Sequence, residues 1–280
     1  MIYPKYGEAF RKLRLQHRLS LADFEHLGIA KSTLSHFENG KNMLAFDKLD
    51  MALQEMHTSL QDYALLVNNL QPDYFVIQFH KIEKAYLKKD YSTLKTIYQN
   101  SVDYPDKETY YIGLSAKSFY APLNAEECAS VERFLEGIKV WGAYELSIFT
   151  STLENLNLNF VKQVMEEFWS YIDSFLSILE YRTLVMRAIV RVSFRLIDQN
   201  DKETAKDLVD NSRKILMPAD TSNRIMLRFI EGYWEHAFED EIRGKKQMRQ
   251  VLHILKVIEA PDLRRIFLSH YNRRMKNAQQ

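Results

Sequence analysis

One cysteine, Cys128, occurs in 280 residues. No intramolecular disulfide can therefore brace this chain, and a lone thiol fits a reducing cytosol. It reads as an inert, half-buried side chain in preference to a redox switch. Glycine, at eight, and proline, at six, are scarce too. Beyond residue 73 no alternation of Val, Ile and Thr is joined by Asn-Gly or Asp-Gly, which argues against a sheet built from hairpins. Long apolar runs are missing. The most apolar helical stretch, TLVMRAIVRVSFRLI, carries Arg187, Arg191 and Arg195, which argues against a membrane span. The opening MIYPKYGEAFRKLR lacks the apolar core of a signal peptide, so a cytoplasmic protein is expected. Net charge is nearly absent as well, at +1, so any affinity for nucleic acid must come from one basic face.

Signatures of enzymatic chemistry are missing. There is no Gly-rich phosphate loop, His-Glu-x-x-His, Cys-x-x-Cys or Gly-x-Ser-x-Gly. Asp23-Phe-Glu-His26 has a metal-ligand spacing but lies on a short helix without further ligands, and reads as solvated side chains. Neither an enzyme activity nor a metal or cofactor is expected.

What remains is helix. Hydrophobic residues make up 46% and charged residues 27%, the balance of a chain with a sizeable core. The most informative stretch is GEAFRKLRLQHRLSLADFEHLGIAKSTLSHFENG, from Gly7 to Gly40. Ser20-Leu-Ala-Asp23 resembles a capping box and opens a helix from about Leu21 to Leu27. Gly28 supplies the positive φ of a tight turn, with Ile29 as its apolar plug. A second helix runs from Lys31 to Glu38 and stops near Asn39-Gly40. Helix, short turn, helix is the geometry that lays one helix in the major groove while its predecessor braces it. Up to Lys41, seven basic residues face four acidic ones, so the excess of positive charge is local to this stretch.

The spacing Arg14, Leu21-Ala22, Phe24, Gly28-Ile29, Lys31-Ser32, Leu34-Ser35, Phe37-Glu38, Gly40 resembles the XRE or phage-repressor type of helix-turn-helix. The resemblance implies an ion pair between Arg14 and Glu38 that fixes the reading head. It places base contacts at Lys31, Ser32, Ser35 and His36, and a phosphate contact at Lys41. The chemistry of these side chains suits base reading, since lysine donates to guanine, serine to either base type, and histidine carries both a donor and an acceptor. Many relatives carry Gln where Leu21 stands, so one backbone contact is lost here.

The periodicity continues through helices at residues 46–56 and at about 59–67, the second opened by Ser59-Leu-Gln-Asp62. That makes a five-helix head over residues 1–67. Asn68-Asn69-Leu70-Gln71-Pro72 interrupts it as a short linker, and residues 73–280 form a second domain. Pro105, Pro122, Pro218 and Pro261 fall at breaks between helices. Helix-turn-helix themes recur around Asp90, Asp201 and Gly244, and more weakly around Asn157. The last three lie about 40 residues apart, the spacing of stacked helix pairs. The expected class is all-α: an XRE-type head followed by a tetratricopeptide-like helical repeat with a concave face.

Head, short joint and degenerate repeats together resemble the Rgg/MutR/GadR transcription regulators of Gram-positive bacteria, with Trp141-Gly-Ala-Tyr-Glu-Leu-Ser-Ile-Phe149 as a recurrent stretch. The resemblance implies a cytoplasmic homodimer that binds double-stranded promoter DNA and receives a short hydrophobic signalling peptide, as in quorum sensing. It also allows a contact with RNA polymerase. Two other readings stand beside it: a repressor whose tail only dimerises or holds a partner protein, and a helical adaptor. For a peptide, Arg187, Arg191 and Arg195 share one helical face and suit a terminal carboxylate. Asn223 and Arg224 offer backbone-directed groups, with Tyr181, Tyr233 and Trp234 as a floor. Each also has a plainer reading. The arginines can be an ion-paired face, with Glu166, Glu167 and Glu180 as partners, and the aromatics can be core. The basic last helix, around Ile266, Phe267 and Leu268, is expected to be a solvated terminal helix.

Overall fold

Polar caps open several helices of this chain, with Ser59, Asp106, Asn124, Asp201 and Asp240 each accepting from a backbone N–H of the first turn. The computed structural model describes residues 4–102, 106–175 and 178–277, and these are helical with no strand. Pro105 lies outside the described residues. Two compact units divide the chain, Met1–Ile77 and Gln78–Gln280, each with a hydrophobic cluster of its own.

The first unit holds α1 (Pro4–Gln16), a 3-10 helix (Leu21–Leu27), α2 (Lys31–Glu38), α3 (Phe46–Glu55) and α4 (Leu60–Val67). The segment after Ser20 winds as a 3-10 helix where the sequence suggests an ordinary helix. Its ends set the pitch: Asp23 Oδ2 accepts from the Ser20 N–H at 2.6 Å, and the Gly28 N–H reaches back three residues to Glu25. Only Phe24 is buried between them, so little packing favours the wider winding. Gly28 (φ 68) takes the left-handed turn, and Ile29 is buried beside it. The rings of Phe24 and Phe37 pack on Phe10 at 5.8 and 5.6 Å. At Gly7, α1 crosses α2 backbone to backbone; a Cβ there would lie 2.0 Å from the Phe37 carbonyl oxygen.

The second unit runs through α5 (Tyr74–Lys88), α6 (Tyr91–Val102), α7 (Lys107–Lys117), α8 (Ala125–Glu136), α9 (Ala143–Thr152), α10 (Leu158–Phe175), α11 (Leu179–Asp198), α12 (Lys202–Lys214), α13 (Thr221–Phe238), α14 (Glu241–Val257) and α15 (Pro261–Asn277). The helices break over residues 68–73, where Asn69 and Leu70 take positive φ, and the division between units falls a little later, inside α5. The helix α6 packs on α7, α11 on α12 and α13 on α14, while α7, α9, α11 and α13 contact one another in that order. An aspartate opens three of these helices, α6, α12 and α14: Asp90 accepts from the Thr93 N–H, Asp201 from Thr204 and Asp240 from Arg243. The last turn therefore sits at Glu239–Asp240, ahead of Gly244, around which the sequence theme is centred. Gly244 lies inside α14, where its missing Cβ lets the helix touch α13; that atom would stand 2.3 Å from the His236 nitrogen.

Trp141 is buried edge-on to Phe149 and Phe168, so the recurrent stretch beginning there is a packing element. Cys128 is half-buried with its Sγ 3.3 Å from the Asn155 carbonyl, and burial raises its pKa; such a thiol is a poor nucleophile. The solvated last helix is corrected. Phe267 of α15 is buried against Phe229 with centroids 4.5 Å apart, and His270 stacks on Phe194 at 3.7 Å. Arg273 pairs with Asp198 at 2.7 Å. One apolar stripe, centred on Phe267 and extended by the His270 ring, is enough to dock a helix otherwise rich in arginine.

Candidate nucleic-acid interface and tail groups

The reading head is built from the inside outward. Leu34 and Phe37 anchor α2 in the core. Glu38, in the same buried row, takes two hydrogen bonds from Arg14 on α1, Nε to Oε1 at 2.6 Å and Nη2 to Oε2 at 2.8 Å. The third donor, Nη1, satisfies the Leu19 carbonyl at 2.7 Å, tying in the loop between α1 and the 3-10 helix. The hydrogen bond to Glu38 outweighs burial and holds the Arg14 pKa above its ordinary value. A planar fork on a carboxylate fixes orientation as well as distance, so α2 cannot roll about its axis.

That clamp leaves the opposite face free. Lys31, Ser32 and His36 are exposed, Ser35 is half-buried, and Lys41 is exposed just past the helix, its N–H bonded to the His36 carbonyl at 2.9 Å. Ala30 precedes α2 and gives no side-chain cap, so the first N–H groups of the helix have no side-chain acceptor. Asp23 and His26 form no metal site. Asp23 caps Ser20, and His26 Nε2 lies 3.5 Å from Glu55. Among the described residues no group of three His, Cys, Asp or Glu side chains can hold a metal ion, and no helix is long and apolar enough to cross a membrane.

In the tail, the α11 arginines are engaged within the chain. Arg187 Nη2 lies 2.7 Å from Glu83 of α5. Arg191 donates to the Thr150 carbonyl at 2.6 Å and packs its guanidinium over Phe119, with Glu154 3.8 Å away. Arg195 satisfies the carbonyls of Leu153 and Leu156. The Thr150 and Leu153 oxygens close the C-terminal end of α9, where helical carbonyls have no partner of their own, and Leu156 lies in the loop that follows. The carboxylates met are thus Glu83 and Glu154, not Glu166, Glu167 or Glu180. Glu166 and Glu167 are exposed on α10, and Glu180 lies near the start of α11 itself. Which acids the stripe meets depends on which helix α11 packs against, and spacing along one helix does not carry that.

The remaining tail residues divide. Asn223 and Trp234 are buried at 2% and 7% exposure, and Trp234 Nε1 donates to the Lys202 carbonyl at 3.2 Å. Tyr233 is fully buried and donates to Asp198 at 2.7 Å, and burial raises its pKa. Tyr181 is half-buried, and Arg224 is exposed. Arg224 opens on a cavity of about 960 Å³ between α13 and α14, whose other cations include Arg228, Lys245, Lys246 and Arg249. Sequence reasoning reached only Arg224; Arg228 one turn later on α13, and the charges at i, i+1 and i+4 on α14, were the signal for the rest.

The model of the C-terminal domain of the HTH-type transcriptional regulator Rgg matches residues 79–267. In three dimensions the chain is similar to the SHP pheromone receptor Rgg2 of Streptococcus dysgalactiae. The TM-score is 0.77 at 18% identity, covering 96% of this chain and 99% of that one. It is similar also to PrgX in its complex with cCF10, with a TM-score of 0.66 at 11% identity over 97% and 92% of the two chains. A bacterial peptide pheromone receptor complex gives 0.65 at 12% identity over 97% and 98%. At these identities the likeness is one of fold, and it reaches from the head through α15. The matched family model spans most of the described tail, and the chain belongs to the Rgg family of helix-turn-helix transcriptional regulators.

Proposed function

We propose that this chain is a cytoplasmic, homodimeric regulator that reads promoter DNA with α2 and answers to a short hydrophobic peptide at its helical repeat. One observation carries the DNA reading: a polar row, Lys31, Ser32, Ser35 and His36, stands outward over a buried Arg14–Glu38 clamp. Two copies related by symmetry place two such helices on adjacent major-groove turns, and doubling makes up for the near-neutral charge. Lys41 holds a phosphate beside the reading helix.

Electrophoretic shift on the chain's own upstream region tests it. Lys31→Ala or His36→Ala relaxes specificity by about 1–3 kcal/mol, whereas Lys41→Ala weakens specific and random DNA evenly and lowers the salt slope by about one. Equal losses on both DNAs for all three variants would remove the base-reading assignment. The peptide reading draws on the family and on the pheromone receptors of like fold. Its residues on this chain are Tyr181, Arg187, Arg191, Asn223, Arg224 and Trp234, with the arginines released from their in-chain partners to meet a carboxylate. Calorimetric titration with hydrophobic peptides encoded beside the gene checks it. The saturation of Arg187 and Arg191 by Glu83 and by the Thr150 carbonyl favours a second reading, in which the tail only dimerises; absence of heat with every cognate peptide selects that one.

A further inference from the structure

Several cations on the packed faces of the helical repeat are held by a carboxylate. Arg182 meets Asp220, Arg187 meets Glu83, Arg213 meets Glu231, and Arg273 meets Asp198. The groove between α13 and α14 is different. Arg224 and Arg228 form one wall, and Lys245, Lys246 and Arg249 form the other. Among the described residues none of Arg228, Lys245, Lys246 and Arg249 has an acidic partner in ion-pair range, and no carboxylate lines the groove. The floor is aliphatic, with Ile225, Val251 and Ile254, and Ile242 stands at one end with 82% of its surface exposed. Gly232 and Gly244 hold the two helices in backbone contact, so the walls are fixed rather than brought together by a ligand. From Ile242 to Ile254 the groove follows α14 for about 18 Å, the length of a helix of about twelve residues.

Two cationic rims over an apolar floor select the occupant. Duplex DNA presents phosphates but no aliphatic face to match the isoleucines. A bilayer surface is flat where this site is concave. A second copy seated here about a two-fold axis would bring the same cations against one another, at a cost in repulsion. The geometry points to an acidic segment of a partner protein, amphipathic, laying an apolar stripe on Ile225, Ile242 and Ile254 with its carboxylates along both rims. Helix-in-groove docking uses an apolar stripe of this kind, and cations on the rims add charge steering and specificity. Arg224 belongs also to the residues proposed for the peptide, but the α11 arginines and α2 lie outside this groove, and the groove residues altered in the test below are all on α14.

The test uses the full-length protein and a fluorescein-labelled synthetic helix of about twelve residues. It carries Leu at i, i+3, i+4 and i+7 and Glu on both flanks; a Lys-for-Glu version is the control. Fluorescence anisotropy at low salt should show saturable binding of the acidic helix alone. Lys246→Glu with Arg249→Glu should weaken it about tenfold or more, as loss of several weak ion pairs requires. Ile242→Ser should weaken it severalfold while leaving the fold untouched, because that side chain is already in water. Arg133→Glu on α8 and the promoter-DNA shift should be unaffected, which separates this site from the reading head. Absence of saturable binding, or the same loss with Arg133→Glu, overturns the proposal. So does a change of particle mass by light scattering in the Lys246/Arg249 variant, which assigns the face to a second copy. Binding to phosphatidylglycerol vesicles in place of the peptide overturns it too.

Discussion

The Arg14–Glu38 pair shows how much rests on one contact. Its side chains are 9% and 5% exposed, so either charge left alone would be both buried and unpaired. Arg14→Ala should cost the head about 3–5 kcal/mol, because breaking a buried pair strands the remaining charge. Arg14→Met with Glu38→Leu together should recover most of that stability, since an apolar pair of similar volume fills the space. Urea midpoints of the three proteins decide the point; a single variant within about 1 kcal/mol of the parent would show that Glu38 finds water instead. This pair was legible only through the resemblance to the XRE helix-turn-helix, since 24 positions and a 3-10 helix separate its members and spacing alone does not join them. The α11 arginines were only half legible. Their common face follows from the four-residue spacing, but Glu83 lies about a hundred positions upstream, and only packing brings it to Arg187.

At the scale of elements, two contacts invite substitution. Gly7→Ala puts a methyl 2.0 Å from a backbone oxygen of α2, which no side-chain rotation relieves. The crossing must open, the head should lose about 1–3 kcal/mol, and DNA binding should fall with it, because α1 and the Arg14 clamp move together. Retention of parental DNA affinity would mean that α2 is held by its core residues alone.

The second contact is α15. His270 stacks on Phe194 and accepts from Arg273 Nη2 at 2.9 Å on Nδ1, which only a neutral ring can do. Burial, then the charges of Arg273 and Arg191, push its pKa down to about 3 from an ordinary 6.5. Between those values the unfolded chain binds a proton that the folded chain refuses. The contribution is therefore complete above pH 6.5 and is lost as pH falls toward 3. The ring edge keeps some contact with solvent, so between pH 7.5 and pH 5 the loss should be about 1–2 kcal/mol after screening. His270→Phe should flatten that limb; an unchanged acid limb would place the titration elsewhere. The docking of α15 was not visible in the sequence, where its arginines and lysine outweigh the short apolar run at Ile266–Leu268.

At the scale of the molecule, the all-α class was readable from caps, turns and periodicity. The division inside α5 was not, because a helix that continues through a boundary carries no break to read. Each unit has its own hydrophobic cluster, one around Phe10, Phe24 and Phe37 and one from Leu114 to Phe267, with no residue in common. Clusters that share no side chain have little to make their melting a single cooperative event. Heating should give two transitions, and the variants above should sort between them. Arg14→Ala should lower only the transition of the head. Phe267→Ala, which empties a buried ring site beside Phe229, should lower only that of the repeat, by an amount corresponding to about 3–5 kcal/mol. Calorimetry on the two variants and the parent reads this directly. If one variant moved both transitions together, the two units would be coupled more strongly than their separate cores imply. Promoter binding would then be open to control by stabilising the repeat alone.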